Sequence, residues 1–154
     1  MHCDGLIEED SMKLVQISVF LENKKGRLFE VCSLLGKEKI NIRALSVAES
    51  EEFGILRMVV DNPAKAVAVL KKKGFVANLT DIVAVEVEDN PGGLASVLAV
   101  FSKNDINVEY MYGFVEKFSQ KAILVFRFDD ADKAIRVLTR NKISIIGKKD
   151  IGNL

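Results

Sequence analysis

The sequence predicts an α+β chain built from two tandem units with the same order of elements, and three observations carry that prediction. The first is an internal repeat. Laying residues 19–42 over 85–108 without a gap gives eight identities: Val19/Val85, Glu22/Glu88, Gly26/Gly92, Leu28/Leu94, Val31/Val97, Lys37/Lys103, Ile40/Ile106 and Asn41/Asn107. Further on the offset grows by two residues, pairing Ile55/Ile123, Leu56/Leu124, Asp61/Asp129, Lys65/Lys133, Ala66/Ala134, Val69/Val137 and Leu70/Leu138. The second observation is that strand and helix periods succeed one another in the same order in both copies. The third is size: 154 residues at 49% hydrophobic and 29% charged form a soluble, globular composition, long enough for two small cores without metal or disulfide staples.

Each unit opens on a strand. Ile17, Val19 and Leu21 alternate with Gln16, Ser18 and Glu22, and Val83, Val85 and Val87 alternate with Ala84, Glu86 and Glu88. A glycine then opens a helix with apolar positions at Leu28, Val31, Cys32 and Leu35, matched by Leu94, Val97, Leu98 and Phe101. Two strands follow, 40–48 and 54–60 in the first copy, 106–115 and 122–128 in the second. Their apolar faces are set by Leu56, Met58 and Val60, and by Leu124, Phe126 and Phe128. Asn62 with Pro63 marks the N-terminus of a second helix and Gly74 its stop, while Asp130 takes the cap position in the second copy. Short strands, 75–78 and 143–146, close the units.

The order is that of two tandem ferredoxin-like βαββαβ units, each an antiparallel four-stranded sheet with helices on one face. The units are expected at residues 13–80 and 81–154, after a disordered leader at 1–12 that shows no hydrophobic period. The uncovered sheet faces carry Phe20, Tyr110, Tyr112 and Phe114, which predicts packing between units or chains.

Composition removes several classes of function. The 22 basic and 22 acidic side chains cancel, and both halves are close to neutral, so the clustered charge of a nucleic-acid binder is missing. The single histidine, His2, lies in the leader, which removes Ser-His-Asp and Cys-His nucleophile systems. Cys3 and Cys32 lack metal-ligand spacing, so no metal and no cofactor is expected. Cys32, on the core stripe of its helix, reads as a small buried hydrophobe. No secretory signal and no continuous apolar span long enough to cross a membrane stands out, and a cytoplasmic location is the default expectation. A hydrolase would need Arg27 with Asn41 nearby, and the second copy has Gly93 in place of the arginine.

The strongest local signal is the turn between first strand and first helix, ENKKGRL at 22–28 and EDNPGGL at 88–94. Glycine lets a ligand approach the backbone, and the free N–H groups of a helix start favour a carboxylate. Asn23 and Asp89, three residues before Gly26 and Gly92, can accept from an ammonium, and Asn41 and Asn107 enter the neighbouring strand, where they would face the same crevice. Acceptors for both charges describe a free amino acid. The same residues also make tight turns and cap helices, and local sequence leaves the two readings level.

A strand followed by D/N-x-P-G-x-L, a helix, and then I-N-I or I-N-V resembles the ACT domain, a small-molecule-binding regulatory module of this fold. The resemblance covers the chain from Lys13 as a free-standing tandem pair, with Lys25 standing where the proline belongs in the first copy. It implies amino-acid binding at interfaces between ACT units, through Asn23, Gly26 and Asn41 in the first copy and Asp89, Gly92 and Asn107 in the second. Asn90, Gly93 and Leu94, with Arg27 and Leu28, complete the implied contacts. Serine-sensing members carry a histidine five residues before the glycine; Leu21 and Val87 stand there, which points to an apolar or aromatic amino acid. The expected protein is a non-catalytic regulator, a homodimer that changes quaternary arrangement with ligand and meets a partner enzyme of amino-acid metabolism. The alternative is a ligand-free interaction module using the face around Tyr110 and Tyr112.

Overall fold

The computed structural model describes residues 10–49, 52–115 and 121–151. Contacts divide them into an N-terminal unit, Val15–Thr80, and a C-terminal unit of residues 81–151 together with residues 10–14.

In the N-terminal unit β1 (Leu14–Glu22), α1 (Arg27–Lys37), β2 (Ile42–Glu49), β3 (Phe53–Val60) and α2 (Pro63–Lys72) lead into β4 (Val76–Glu88). The sheet order is β2-β3-β1-β4, with β1 and β2 antiparallel to β3. The register sets Val19 opposite Leu56 and Ile17 opposite Met58, so one face of the sheet is continuously apolar. Val31, Leu35, Ala66 and Leu70 from the two helices close over that face, and Ile17, Val19, Leu35, Leu56, Met58 and Leu70 lose all exposure to solvent. Burial of this kind is the main favourable contribution to folding.

The C-terminal unit repeats the plan with α3 (Gly93–Lys103), β5 (Val108–Gly113), β6 (Lys121–Phe128), α4 (Ala131–Arg140) and β7 (Ile145–Ile146), followed by a short α5 (Lys148–Ile151). Its order is β5-β6-β4-β7. The core is aromatic. Phe101 lies edge-on to Phe126 and Phe128 at 5.4 and 4.9 Å, and the last two stack at 5.5 Å.

The identities of the repeat acquire physical reasons. Asn62 and Asp130 accept from the amides of Lys65 and Lys133 at 3.2 and 3.1 Å, capping α2 and α4. The Lys65 and Lys133 ammonium groups donate to the carbonyls of Glu38 and Asp105, just past the ends of α1 and α3. Asp61 and Asp129 accept from the backbone amides of Asn41 and Asn107, and return their own amides to the carbonyls of those residues.

Two features differ from expectation. The strands expected at 75–78 and 83–87 form one run, Val76–Glu88, because Leu79, Thr80, Asp81 and Ile82 include no glycine or proline to break it. Residues 10–12 form a helical turn in place of the expected disorder, while residues 1–9 of the leader lie outside the described residues. Met12 packs on the C-terminal core, and Lys13 Nζ meets Asp132 Oδ1 at 2.7 Å, an ion pair that raises the lysine pKa. The Ser11 carbonyl lies so near Gly147 that a Cβ there would come within 2.7 Å of it.

Candidate functional site

Both β–α turns rest on a glycine in the left-handed region, Gly26 at φ 89° and Gly92 at φ 84°, a conformation in which a Cβ is strained. Each glycine is the N-cap of its helix and supplies no side-chain cap, and the first helical amides, of Arg27 and Gly93, donate back to the carbonyls of Lys24 and Asn90 at 3.3 and 3.0 Å. The carbonyl of each glycine accepts a first-turn helical bond, Gly26 from the Glu30 amide and Gly92 from the Ser96 amide, at 3.0 Å. Asn23, Asp89, Gly26 and Gly92 are all exposed.

The turns are not copies in detail. In the C-terminal unit a Cβ at Gly93 would overlap the carbonyl oxygen of Glu88, so the chain closes more tightly there than a side chain permits. The N-terminal turn carries Arg27 at that position, half-buried, with its guanidinium 3.1 Å from Glu30 and 3.7 Å from Glu22. Lys24 approaches Glu22 at 2.8 Å. Lys24, and after it Arg27, hold the Glu22 carboxyl below the usual carboxylate range.

Asn41 and Asn107 lie elsewhere. Glu22 sits opposite Phe53 at the start of β3, whereas Ile42 sits opposite Val60 at its end. Seven residue steps at roughly 3.3 Å each put about 23 Å of strand between the turn and Asn41 within one unit. The C-terminal unit has the same register, with Glu88 opposite Lys121 and Val108 opposite Phe128. The expectation that these asparagines face the crevice of their own turn is therefore corrected by the sheet register.

A cavity adjoins each turn. The one in the N-terminal unit has a volume of about 670 Å³ and lies between the end of β1, one flank of α1 and the Lys73–Val76 link into β4. Its counterpart, about 510 Å³, takes the same place beside α3 and the 141–144 segment. Of the residues singled out in the sequence, Arg27 lines the first and Asn90, Gly92 and Gly93 line the second. Asn23, Gly26, Leu28 and Asn41, and likewise Asp89, Leu94 and Asn107, do not line either cavity. Leu28, expected on the core stripe of α1, is 42% exposed, while Leu34 packs against the core.

Sequence reasoning placed Phe20 on the uncovered sheet face but missed the aromatic wall it forms with Phe29, Phe53 and Phe75 around the first cavity. Phe20 and Phe53 pack with ring centroids 4.9 Å apart yet remain 46% and 39% exposed, and Phe29 is 75% exposed. A signal was present, since Phe29 falls outside the apolar stripe of α1 and Phe20 sits on the strand face of Ser18 and Glu22. Tyr110 and Tyr112 are half-buried, and among the described residues the exposed large apolar side chains lie in the N-terminal unit apart from Val115, which follows β5. Cys32 is a free, half-buried thiol whose pKa burial pushes up. Among the described residues no cluster of three or more His, Cys, Asp or Glu side chains is placed to hold a metal, and no helix is long and apolar enough to cross a membrane.

The repeated βαββαβ unit with a glycine turn at the start of each first helix is a tandem ferredoxin-like architecture, and residues 12–154 match the ACT domain pair. The chain belongs to that family. It is similar to a Bacteroides thetaiotaomicron protein of known crystal structure, at 41% identity and a TM-score of 0.87, over 94% of this chain and 99% of that one. The regulatory subunit of aspartate kinase from Thermus thermophilus shares the fold at 16% identity and a TM-score of 0.60, over 82% of this chain and 91% of that one. The same subunit from Thermus flavus does so at 17% identity and 0.58, over 85% and 93%. No curated protein matches the chain.

Proposed function

We propose that the protein is a non-catalytic regulator that binds a free amino acid beside the glycine turns and transmits occupancy through a change in quaternary arrangement. The observation that carries this reading is the pairing, in both units, of a helix start capped by a left-handed glycine without a side-chain cap and a cavity of amino-acid-accommodating size at the same place in the repeat. Of the turn residues, Arg27 lines the first cavity and Asn90, Gly92 and Gly93 line the second, and these are the groups within reach of a bound carboxylate, while Asn23 and Asp89 stand outside the cavities. Asn41 and Asn107, at the far end of their own sheets, join such a site only when brought in by a neighbouring unit, which favours binding at an interface and an assembly of at least two chains. Ligand would then act by shifting the population of assemblies able to meet a partner enzyme of amino-acid metabolism. The apolar wall around Phe20 and Phe53 favours an apolar or aromatic side chain over serine.

Thermal melting of the purified chain with each of the twenty amino acids at millimolar concentration tests the reading. A ligand at 100 times its dissociation constant stabilises by about 2.7 kcal/mol, which raises the midpoint of a chain of this length by roughly 5–10 °C. The expected outcome is a shift confined to one chemical group of amino acids. No shift with any of them would leave the ligand-free interaction module, which the exposed Phe20, Phe29, Phe53 and Val76 favour.

A further inference from the structure

Because the two cavities occupy the same place in the repeat, their linings can be compared position by position. The repeat offsets pair Phe20 with Glu86, Phe53 with Lys121 and Val76 with Ser144. They also pair Arg27 with Gly93 and Glu30 with Ser96. The N-terminal cavity thus offers aromatic rings and, next to them, a cation between two carboxylates, with Glu22 directly opposite Phe53 in the sheet. Its counterpart offers charges where the rings would be and neither the cation nor one of the carboxylates.

This arrangement matches a particular class of ligand. The guanidinium of Arg27 lies 3.1 Å from Glu30 and 3.7 Å from Glu22, so positive and negative groups alternate over the span that separates the carboxylate and ammonium of one amino acid. A guanidinium fork engages a carboxylate in two parallel hydrogen bonds, and the flanking carboxylates fix its orientation before a ligand arrives. The Phe20 and Phe53 rings, tilted by 34° and 4.9 Å apart, present an open face and edge to which a third ring can pack. Phe29, with three quarters of its surface exposed, has no part in the core and extends the same wall. Phe20, Phe29 and Phe53 lie outside the core cluster of residues 15–80, whereas Phe75, the fourth ring around the opening, packs against it.

We propose that the cavity of the N-terminal unit, and not its counterpart, binds a free amino acid with an aromatic side chain, its ring against Phe20, Phe29 and Phe53, its carboxylate on Arg27 and its ammonium on Glu22 and Glu30. This rests on the amino-acid-binding reading above and gives it a ligand class and a single site per chain. The C-terminal cavity lacks these contacts, and Glu86 and Lys121 stand where Phe20 and Phe53 would face the ring.

Isothermal titration calorimetry on the full chain tests the inference with L-phenylalanine, L-leucine and L-serine, and with 3-phenylpropionate and phenethylamine, which lack the ammonium and the carboxylate in turn. L-Phenylalanine is expected to bind tightest, at one per chain, with both analogues at least tenfold weaker. Phe53→Lys and Arg27→Ala should each weaken phenylalanine at least tenfold, and Phe29→Ala, at a position too exposed to disturb folding, should weaken it measurably. Lys121→Ala should change affinity less than twofold. Tighter binding of leucine or serine, two phenylalanines per chain, an analogue as tight as phenylalanine, or a loss in Lys121→Ala equal to that in Phe53→Lys would each overturn the inference while leaving an amino-acid binder. Absence of binding by every amino acid would overturn both.

Discussion

The two units share one plan but put their phenylalanines in different places. In the C-terminal unit Phe101, Phe126 and Phe128 form the centre of the core, where the N-terminal unit has Leu35, Met58 and Val60 at the equivalent positions. The larger rings are accommodated partly because Val83 and Val87 replace the bulkier Ile17 and Leu21. In the N-terminal unit Phe20, Phe29 and Phe53 lie at the surface around a cavity. Duplicated units of equal fold have thus divided their aromatic surface between stability and recognition. An aromatic that the core does not require, held next to a built charge cluster, is the informative one.

The largest break in this comparison comes from truncating each kind of ring. Phe126→Ala, in a fully buried position, is expected to cost about 3–5 kcal/mol in urea unfolding, whereas Phe29→Ala should stay within roughly 0.5 kcal/mol of the parent. Equal losses would show that the N-terminal aromatics serve the fold after all. The turns provide the next test. Gly93→Ala forces a Cβ onto the Glu88 carbonyl and should cost about 1–3 kcal/mol, while Arg27→Gly, at the same place in the other unit, should cost about 1 kcal/mol or less. The smallest effect belongs to machinery the units share. Asn62→Ala and Asp130→Ala each remove one helix cap and should cost about 1 kcal/mol alike, so a large difference between them would mean that the units do not stabilise their second helices in the same way.

Much of the fold was legible because it is written in short-range periods. Alternation in 16–22 and 83–88, a glycine at each helix start and the Asn62 and Asp130 caps all act within a few residues, and the repeat supplied every signal twice. The continuity of β4 was missed because the end of one unit and the start of the next were read as separate strands, although nothing between them breaks extended backbone. Of the site, the glycine turns were legible and the asparagines were misplaced: sequence places Asn41 next to a helix end, and only the register reveals which end of the sheet that is. The aromatic wall was harder: Phe20 was legible as an aromatic on the uncovered sheet face, but Phe29, Phe53 and Phe75 come from other elements and links, and nothing local in the sequence joins them to it. What marks them is the contrast with Glu86 and Lys121, visible once the copies are aligned through the structure.

The most direct test of the division of labour between the units is a two-dimensional amide NMR titration of the isotopically labelled chain with L-phenylalanine. The expected result is a set of saturable shifts that are largest at the amides of residues 20–37, 53 and 73–76 and smaller at residues 86–100 and 141–144. Shifts of equal size at residues 86–100 and 141–144, or none at any concentration that thermal melting identifies as saturating, would contradict it.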